Sequence, residues 1–463
     1  MRWGIRFNIV LWVVSFSLSS WAKEGFFEER DVPIERLHAE DSYSHLTFFR
    51  HRQEGGEPIL LIHGLMENTR TYREFARRLY LLGQLYPEQT DGGRGFDIWM
   101  VNLRGHGRGE DASYPMRRGD HQYTFDYFIP QDYRLIFETI FQATGKKVHV
   151  IGRSQGGITA TLALAGLTWP EAGWPLPAPR YAPSESHPDG FVYFSPELAR
   201  FYAEERVASL QTLGSPHQFA ELPMLVRSLA FMLYQVSSRY PIGIPGVGPE
   251  RSTFEPRVPL LPRQVLPWID SLLVHAMPDG IWRGKNINHD EIEFSRMLAK
   301  GLSPVHPALA AGYLKYVTRS RAMAGVGKRR QGFRSLDGRL NFETAIARVA
   351  LPLEKIRLVA GSHDILAPPH VIWEQARLLA RSQGGRPEEV FRMIEETSHV
   401  ELATGVYAAD RVIPVVLSRT HPEMARLYRK EYGFWDRSRP RLCEPYFKPG
   451  IFRTRQAFRR RYL

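Results

Sequence analysis

The chain is poor in cysteine. Its 463 residues contain only Cys443, so no intramolecular disulfide can form and no Cys-x-x-Cys motif exists. No Asn-x-Ser/Thr sequon occurs, and neither a His-Glu-x-x-His nor an EF-hand pattern is found. No metal and no cofactor are therefore expected. No internal repeat is visible. Beyond the N-terminus no apolar run approaches the ~20 residues that span a bilayer. What is present is a globular composition, 43% hydrophobic and 24% charged, which excludes disorder and permits a sizeable core.

The N-terminus reads MRWGIRFNIVLWVVSFSLSSWAKEG. Arg2 and Arg6 precede an apolar stretch, and Ser20-Trp21-Ala22 supplies small residues where a signal peptidase cuts. Residues 1–22 are expected to be a cleaved secretion signal; the alternative, a membrane anchor, is disfavoured by an apolar part shorter than the ~20 residues that span a bilayer and by its serine-rich end. A secreted eukaryotic enzyme of this size usually has disulfides and sequons. Their joint absence points to a bacterial exported protein, secreted or periplasmic.

Acidic residues are the minority: 49 Asp and Glu face 61 Lys and Arg, a net charge of +12. Much of the excess lies in residues 421–463, where basic residues such as Arg437, Arg455 and Arg460 alternate with aromatics such as Trp435, Phe452 and Tyr462. This basic aromatic extension suits an anionic membrane surface, or a surface segment packed on the core through its rings. Export speaks against nucleic acid as the partner.

Short apolar runs at residues 59–63, 98–102, 148–152, 210–214, 356–361 and 390–394 read as buried strands. Helical patterns at 71–82 and 131–144 separate the first three. The alternation predicts an α/β fold: a mostly parallel central sheet with helices on both faces. Residues 46–50 suit an antiparallel edge strand. The pattern lapses over 218–340, which begins with the apolar stretch 222–236 and the run PIGIPGVGP. We read this as a helical cap or lid inserted between two parts of the core, 23–217 and 341–420. It leaves from a strand's carboxyl end, where open α/β sheets bind ligands. A second, proline-rich insertion covers 168–188.

The sequence Gly152-Arg153-Ser154-Gln155-Gly156 sits between the strand at 148–152 and a helical stretch at 158–164. Gly-x-Ser-x-Gly alone is weak, since chance gives it in on the order of one such chain in six. A strand before it and a helix after it are what a nucleophile elbow requires. A serine hydroxyl needs a base to take its proton. With such an elbow the acid and the histidine follow later in the chain, on loops after strands. Asp364 follows the strand at 356–361, and His399 follows the strand at 390–394. Each has a plain alternative, a turn aspartate and a surface histidine. His363 adjoins the acid and His370 falls inside a helix, so both read as structural. The strand at 59–63 ends in His63-Gly64-Leu65, whose Leu65 N–H is expected to pair with that of Gln155 as an oxyanion hole. Gly105-His106-Gly107-Arg108-Gly109 lacks the spacing of a nucleotide loop and reads as a turn.

The segments ILLIHGL, FDIWMVNLRGHG and FQATGKKVHVIGRSQGG resemble those of acid lipases. LQTLGSPH resembles a strand end of bacterial triacylglycerol lipases, and LVAGSHDILAPP the usual acid-bearing loop. In pieces over 58–217 and 345–405, the chain resembles the α/β-hydrolase superfamily, lipase- and esterase-like members in particular. Position by position, the resemblance implies Ser154 as nucleophile, Asp364 as orienter, His399 as base, and Leu65 and Gln155 as oxyanion donors. Arg153 departs from the histidine many relatives carry, which bears on substrate preference more than on catalysis. The expected activity is a secreted serine carboxylic ester hydrolase acting through an acyl-enzyme on lipid or other apolar esters. Acyl transfer by the same triad and a non-catalytic surface-binding role remain alternatives.

Overall fold

The computed structural model describes residues 32–65, 67–107, 109–116, 120–169, 192–217, 303, 333–335, 338–404 and 408–432. The expected signal, most of the expected cap, the bulk of the proline-rich insertion and residues 433–463 of the extension lie outside the described residues.

Among the described residues nine strands form one sheet. Eight of them are β1 (Glu35–Glu40), β2 (Ser44–His51), β3 (Glu57–Ile62), β4 (Phe96–Val101), β5 (Val148–Arg153), β6 (Val207–Leu213), β7 (Ile356–Gly361) and β8 (Phe391–Ile394). Their spatial order is 1-2-4-3-5-6-7-8, and the two-residue strand Tyr114–Pro115 adds to β2. β1–β2 and β2–β4 are antiparallel, whereas β4, β3, β5, β6, β7 and β8 run parallel. The helices that cover the sheet are α1 (Arg73–Leu85), α2 (Phe125–Thr144), α3 (Gln155–Leu164), α4 (Pro196–Phe201), α5 (Pro369–Ser382), α6 (Ile413–Thr420) and α7 (Pro422–Tyr432).

Each of the six apolar runs read from the sequence falls on one of the parallel strands. They carry apolar side chains at successive positions because these feed opposite cores. Leu60, Ile62, Trp99, Val101, Val150, Leu210 and Leu358 pack with Phe128 and Ile136 of α2, Ile158 and Leu162 of α3, and Ile372 of α5. Their neighbours Ile59, Leu61, Ile98, Met100, Ile151, Leu213 and Val359 pack with Leu79 and Leu82 of α1, Leu417 of α6 and Met424 of α7. Each such side chain, fully buried, contributes roughly 1.5–3 kcal/mol of hydrophobic stabilisation. The stretch 46–50 lies in β2, but the sheet ends one strand farther out, at β1. β1 alternates half-buried and exposed residues, and so carries only one apolar face.

Two element boundaries differ from the expectation. α2 starts at Phe125 and contains Pro130, which the pattern reading stopped short of. Proline removes one helical hydrogen bond, but Phe125, Phe128 and Ile129 keep that turn buried. The start of the expected extension is core: α7 buries Met424, Ala425 and Tyr428 in the same cluster as α1. At the expected cap, 218–340, the flanking residues His217 and Phe342 meet. His217 Nδ1–H donates to the Phe342 carbonyl at 3.2 Å, beside the buried Phe333.

Candidate active site

β5 ends at Arg153 and α3 begins at Gln155, so Ser154 alone makes the turn. Its φ of +49° and ψ of −118° lie where a side chain is strained, at a cost of about 1–3 kcal/mol. Close packing enforces the bend. A Cβ on Gly156 would lie 2.3 Å from the Ile62 carbonyl oxygen and 2.7 Å from that of His63. One on Gly152 would lie 2.6 Å from the Gly157 Cα. The glycines thus let α3 come up against β3 and β5. Ser154 N–H donates to the Leu213 carbonyl at 2.9 Å, which fixes the turn to the end of β6. Gln155 is the first residue of α3, so its N–H has no acceptor inside the helix and stands at the helix's positive end.

Asp364 lies on the loop after β7. Its Oδ1 accepts the N–H groups of Leu366 and Ala367 at 2.9 and 2.7 Å, and its Oδ2 accepts His399 Nδ1–H at 2.7 Å. One oxygen thus closes the turn and the other meets the imidazole. The carboxylate fixes the proton of His399 on Nδ1 and leaves a lone pair on Nε2. The two side chains are buried. The loop carrying His399 leaves β8 through Glu396, the second non-glycine residue with a positive φ, at +55°. Glu396 N–H donates to Ser362 Oγ at 2.8 Å, and Ser398 N–H to Glu401 Oε2 at 2.8 Å.

Gly214 joins the two halves. It directly follows Leu213, the partner of Ser154. A Cβ on it would lie 2.8 Å from Asp364 Oδ2 and 3.2 Å from His399 Nδ1. Ser154 and the Asp364–His399 pair therefore flank one strand end. Among the described residues no side chain is hydrogen-bonded to the Ser154 hydroxyl.

The exit of β3 borders the same place, since a Cβ on Gly64 would lie 3.2 Å from the Ser154 Cβ. Gly64, which precedes the expected oxyanion donor Leu65, thus packs beside Ser154, which precedes the other expected donor, Gln155. His63 is buried and fully used: Nδ1–H donates to the Gly64 carbonyl at 2.8 Å and Nε2 accepts Leu103 N–H at 3.0 Å. Burial pushes its pKa down to about 4, and that of His106, whose ring is 4.7 Å away, to about 3. Both are neutral structural rings. His370 lies in α5, and the main-chain N–H of His363 donates to the Thr397 carbonyl at 3.0 Å.

A family model described as the alpha/beta hydrolase fold matches residues 57–170, from β3 through α3. That stretch carries both the His63-Gly64 turn and the Ser154 elbow. This is an α/β-hydrolase fold. Over 65 residues the chain is 35% identical to triacylglycerol lipase 2 of Arabidopsis thaliana, a match that takes in 14% of this chain and 16% of that one. The chain thus spans under a fifth of the curated relative it matches. Among solved structures it is similar to a thermophilic esterase from Thermogutta terrifontis, with a TM-score of 0.44 and 15% identity over 84% of this chain and 99% of that one. It is also similar to naproxen esterase from Bacillus subtilis, with a TM-score of 0.40 and 13% identity over 86% and 95%. A bromoperoxidase from Bacillus anthracis is as similar, with a TM-score of 0.44 and 12% identity over 83% and 99%.

Within this α/β-hydrolase fold, the sequence reading passed over two residues. Gly214 carries no signal beyond being a glycine at a strand end. Glu67 is a buried acid four residues after His63, and nothing local marks it as paired. Arg153, read as a residue bearing on substrate preference, is buried and ion-paired to Glu67.

Proposed function

We propose that the chain is an exported serine hydrolase that cleaves carboxylic esters of apolar acyl groups through an acyl-enzyme. The observation that carries this reading is the strained Ser154 turn flanking the same strand end as the hydrogen-bonded Asp364–His399 pair. Ser154 Oγ attacks the ester carbonyl carbon while its proton passes to His399 Nε2. Asp364 holds the imidazole in its tautomer and stabilises the imidazolium. The oxyanion takes the N–H groups of Leu65 and Gln155. The C–O bond breaks and the alcohol leaves with the proton from His399. Water then repeats the sequence, and the acid departs. The apolar stretch 222–236 within the expected cap and the printed name of the Arabidopsis relative support a greasy acyl group. Residues 1–22 support export.

The test is a panel of nitrophenyl esters of increasing chain length, with wild type and Ser154→Ala compared at equal folded concentration. Hydrolysis is expected to favour longer chains and to fall by at least about 10⁴-fold in the variant. A fluorophosphonate should add one mass increment to wild type and none to Ser154→Ala. A variant as active as wild type rejects the assignment. Ester products formed with added alcohols would turn the reading toward acyl transfer.

A further inference from the structure

Arg153 precedes the nucleophile in the chain, yet its side chain runs away from solvent and is 2% exposed. It meets Glu67, itself 6% exposed, in a close ion pair. Glu67 sits just beyond the β3 exit and uses both oxygens. Oε1 takes Arg153 Nη1–H, and Oε2 accepts Gly64 N–H at 2.9 Å. The other side of the guanidinium reaches the third loop, with Arg153 Nε–H donating to the His399 carbonyl at 3.4 Å. One buried pair therefore touches all three segments on which the site depends: the nucleophile turn, the His63–Gly64 peptide just before the Leu65 donor and the main chain of His399.

The consequence is geometric. Gly64 N–H is consumed by Glu67, which fixes the His63–Gly64 peptide and leaves the next amide, Leu65 N–H, as the donor toward the substrate oxygen. The fit is close, since the same Gly64 Cβ position lies 3.0 Å from Glu67 Oε2 and 3.2 Å from the Ser154 Cβ. A small shift of Glu67 would move this peptide relative to Ser154. A buried charge that loses its partner must move or draw in water, so the two side chains hold each other in place.

We propose that Arg153 and Glu67 are a positioning pair, which holds the Leu65 donor and the His399 base in register with Ser154 by tying their loops to one buried ion pair. This rests on the triad reading above. Neither side chain touches the reacting atoms. Their contribution is felt where the geometry is tightest, in the transition state, because an oxyanion donor acts on charge that develops there.

The experiment compares wild type, Glu67→Gln, Arg153→Lys and the double variant. Rates are expressed per site titrated with a fluorophosphonate, and melting temperature is recorded in parallel. Glu67→Gln keeps an acceptor for Gly64 N–H while removing the charge, and Arg153→Lys keeps the charge while removing the fork. Each single variant should lower kcat about 10- to 100-fold with KM changed less than about twofold. Binding of a trifluoromethyl ketone, which forms the tetrahedral adduct, should weaken in step with kcat/KM. The double variant should lose little more than either single one, as two members of one device do. Wild-type kcat per titrated site in both single variants overturns the pairing and leaves the triad standing. So does a lowered melting temperature with kcat and ketone affinity unchanged. A wild type whose turnover and labelling do not depend on Ser154 removes the triad reading and this one together.

Discussion

Asp364 shows how one side chain serves two purposes with separate atoms. Oδ1 closes the turn by accepting Leu366 and Ala367 N–H, while Oδ2 receives His399 Nδ1–H. Asp364→Asn keeps the carbonyl oxygen for the turn but puts an NH₂ opposite His399. That group cannot accept Nδ1–H, so the imidazole is driven to the other tautomer and presents N–H to Ser154. The expected outcome is a protein that melts near wild type and hydrolyses esters about 10⁴-fold more slowly in kcat. Steady-state kinetics with a calorimetric scan on the same sample checks it. Loss of folding together with activity would mean that the turn, not the tautomer, is what the carboxylate supports. At this scale the sequence pointed to Ser154, Asp364 and His399 through the order the proposed chemistry needs, and the structure pairs the latter two. The sequence was silent on Glu67 and on the burial of Arg153. Their partnership joins positions 86 residues apart and follows no local rule.

At the scale of elements, the turn between β5 and α3 is built by backbone approach. A Cβ on Gly156 meets two carbonyl oxygens of β3 and its exit, Ile62 at 2.3 Å and His63 at 2.7 Å, and neither can rotate away. On Gly157 the nearest atom is the Ser215 Oγ at 2.1 Å, a side chain that can turn. Gly156→Ala should therefore destabilise by about 2–3 kcal/mol or more, at the upper end of overpacking. Gly157→Ala should cost less, although the Gly152 carbonyl oxygen and the Ser215 Cβ, both at 2.8 Å, keep it unfavourable. Urea midpoints of the two variants decide the order. Equal midpoints would mean that α3 slides freely on β3. The strands were legible because a sheet covered on both faces leaves runs such as Ile59-Leu60-Leu61-Ile62 with no polar gaps. The start of α2 was not, because Pro130 argues locally for a break that the burial of Phe125 and Phe128 overrides. β1 was missed because an outer strand with one apolar face carries half the signal. α7 was assigned to the extension because its charges match those that follow, while Met424, Ala425 and Tyr428 anchor it beside α1.

Across the whole molecule, imidazoles are buried at both ends of the sheet. At its foot, Glu57 opens β3 and accepts Nε2–H from His149 and, at 2.9 Å, from His421, which ties the C-terminal helices to the strands. Burial acts to raise the Glu57 pKa, but these two hydrogen bonds outweigh it and hold the carboxyl well below the usual range. Burial likewise pushes His149 down. Near the site and the insertion roots, burial pushes His63 and His217 to about 4 and His106 to about 3, against about 6.5 in an unfolded chain. These folded-state values are depressed, so below pH ~6.5 the unfolded chain binds the protons first, and acid favours unfolding. Stability is fully present above that pH and falls as pH drops toward ~4, by about 1.4 kcal/mol per unit for each ring. His63, His106 and His217 together then remove about 4 kcal/mol per unit, against a total of roughly 5–15 kcal/mol for a domain. The urea midpoint should fall steeply between pH 7 and 5, with unfolding before pH 4. His217→Gln, which can still donate to the Phe342 carbonyl, should remove about a third of the slope if the three rings contribute equally. A midpoint that stays level from pH 7 to 5 would mean that these rings gain protons without opening the fold, and that their burial is not what holds the strand ends together.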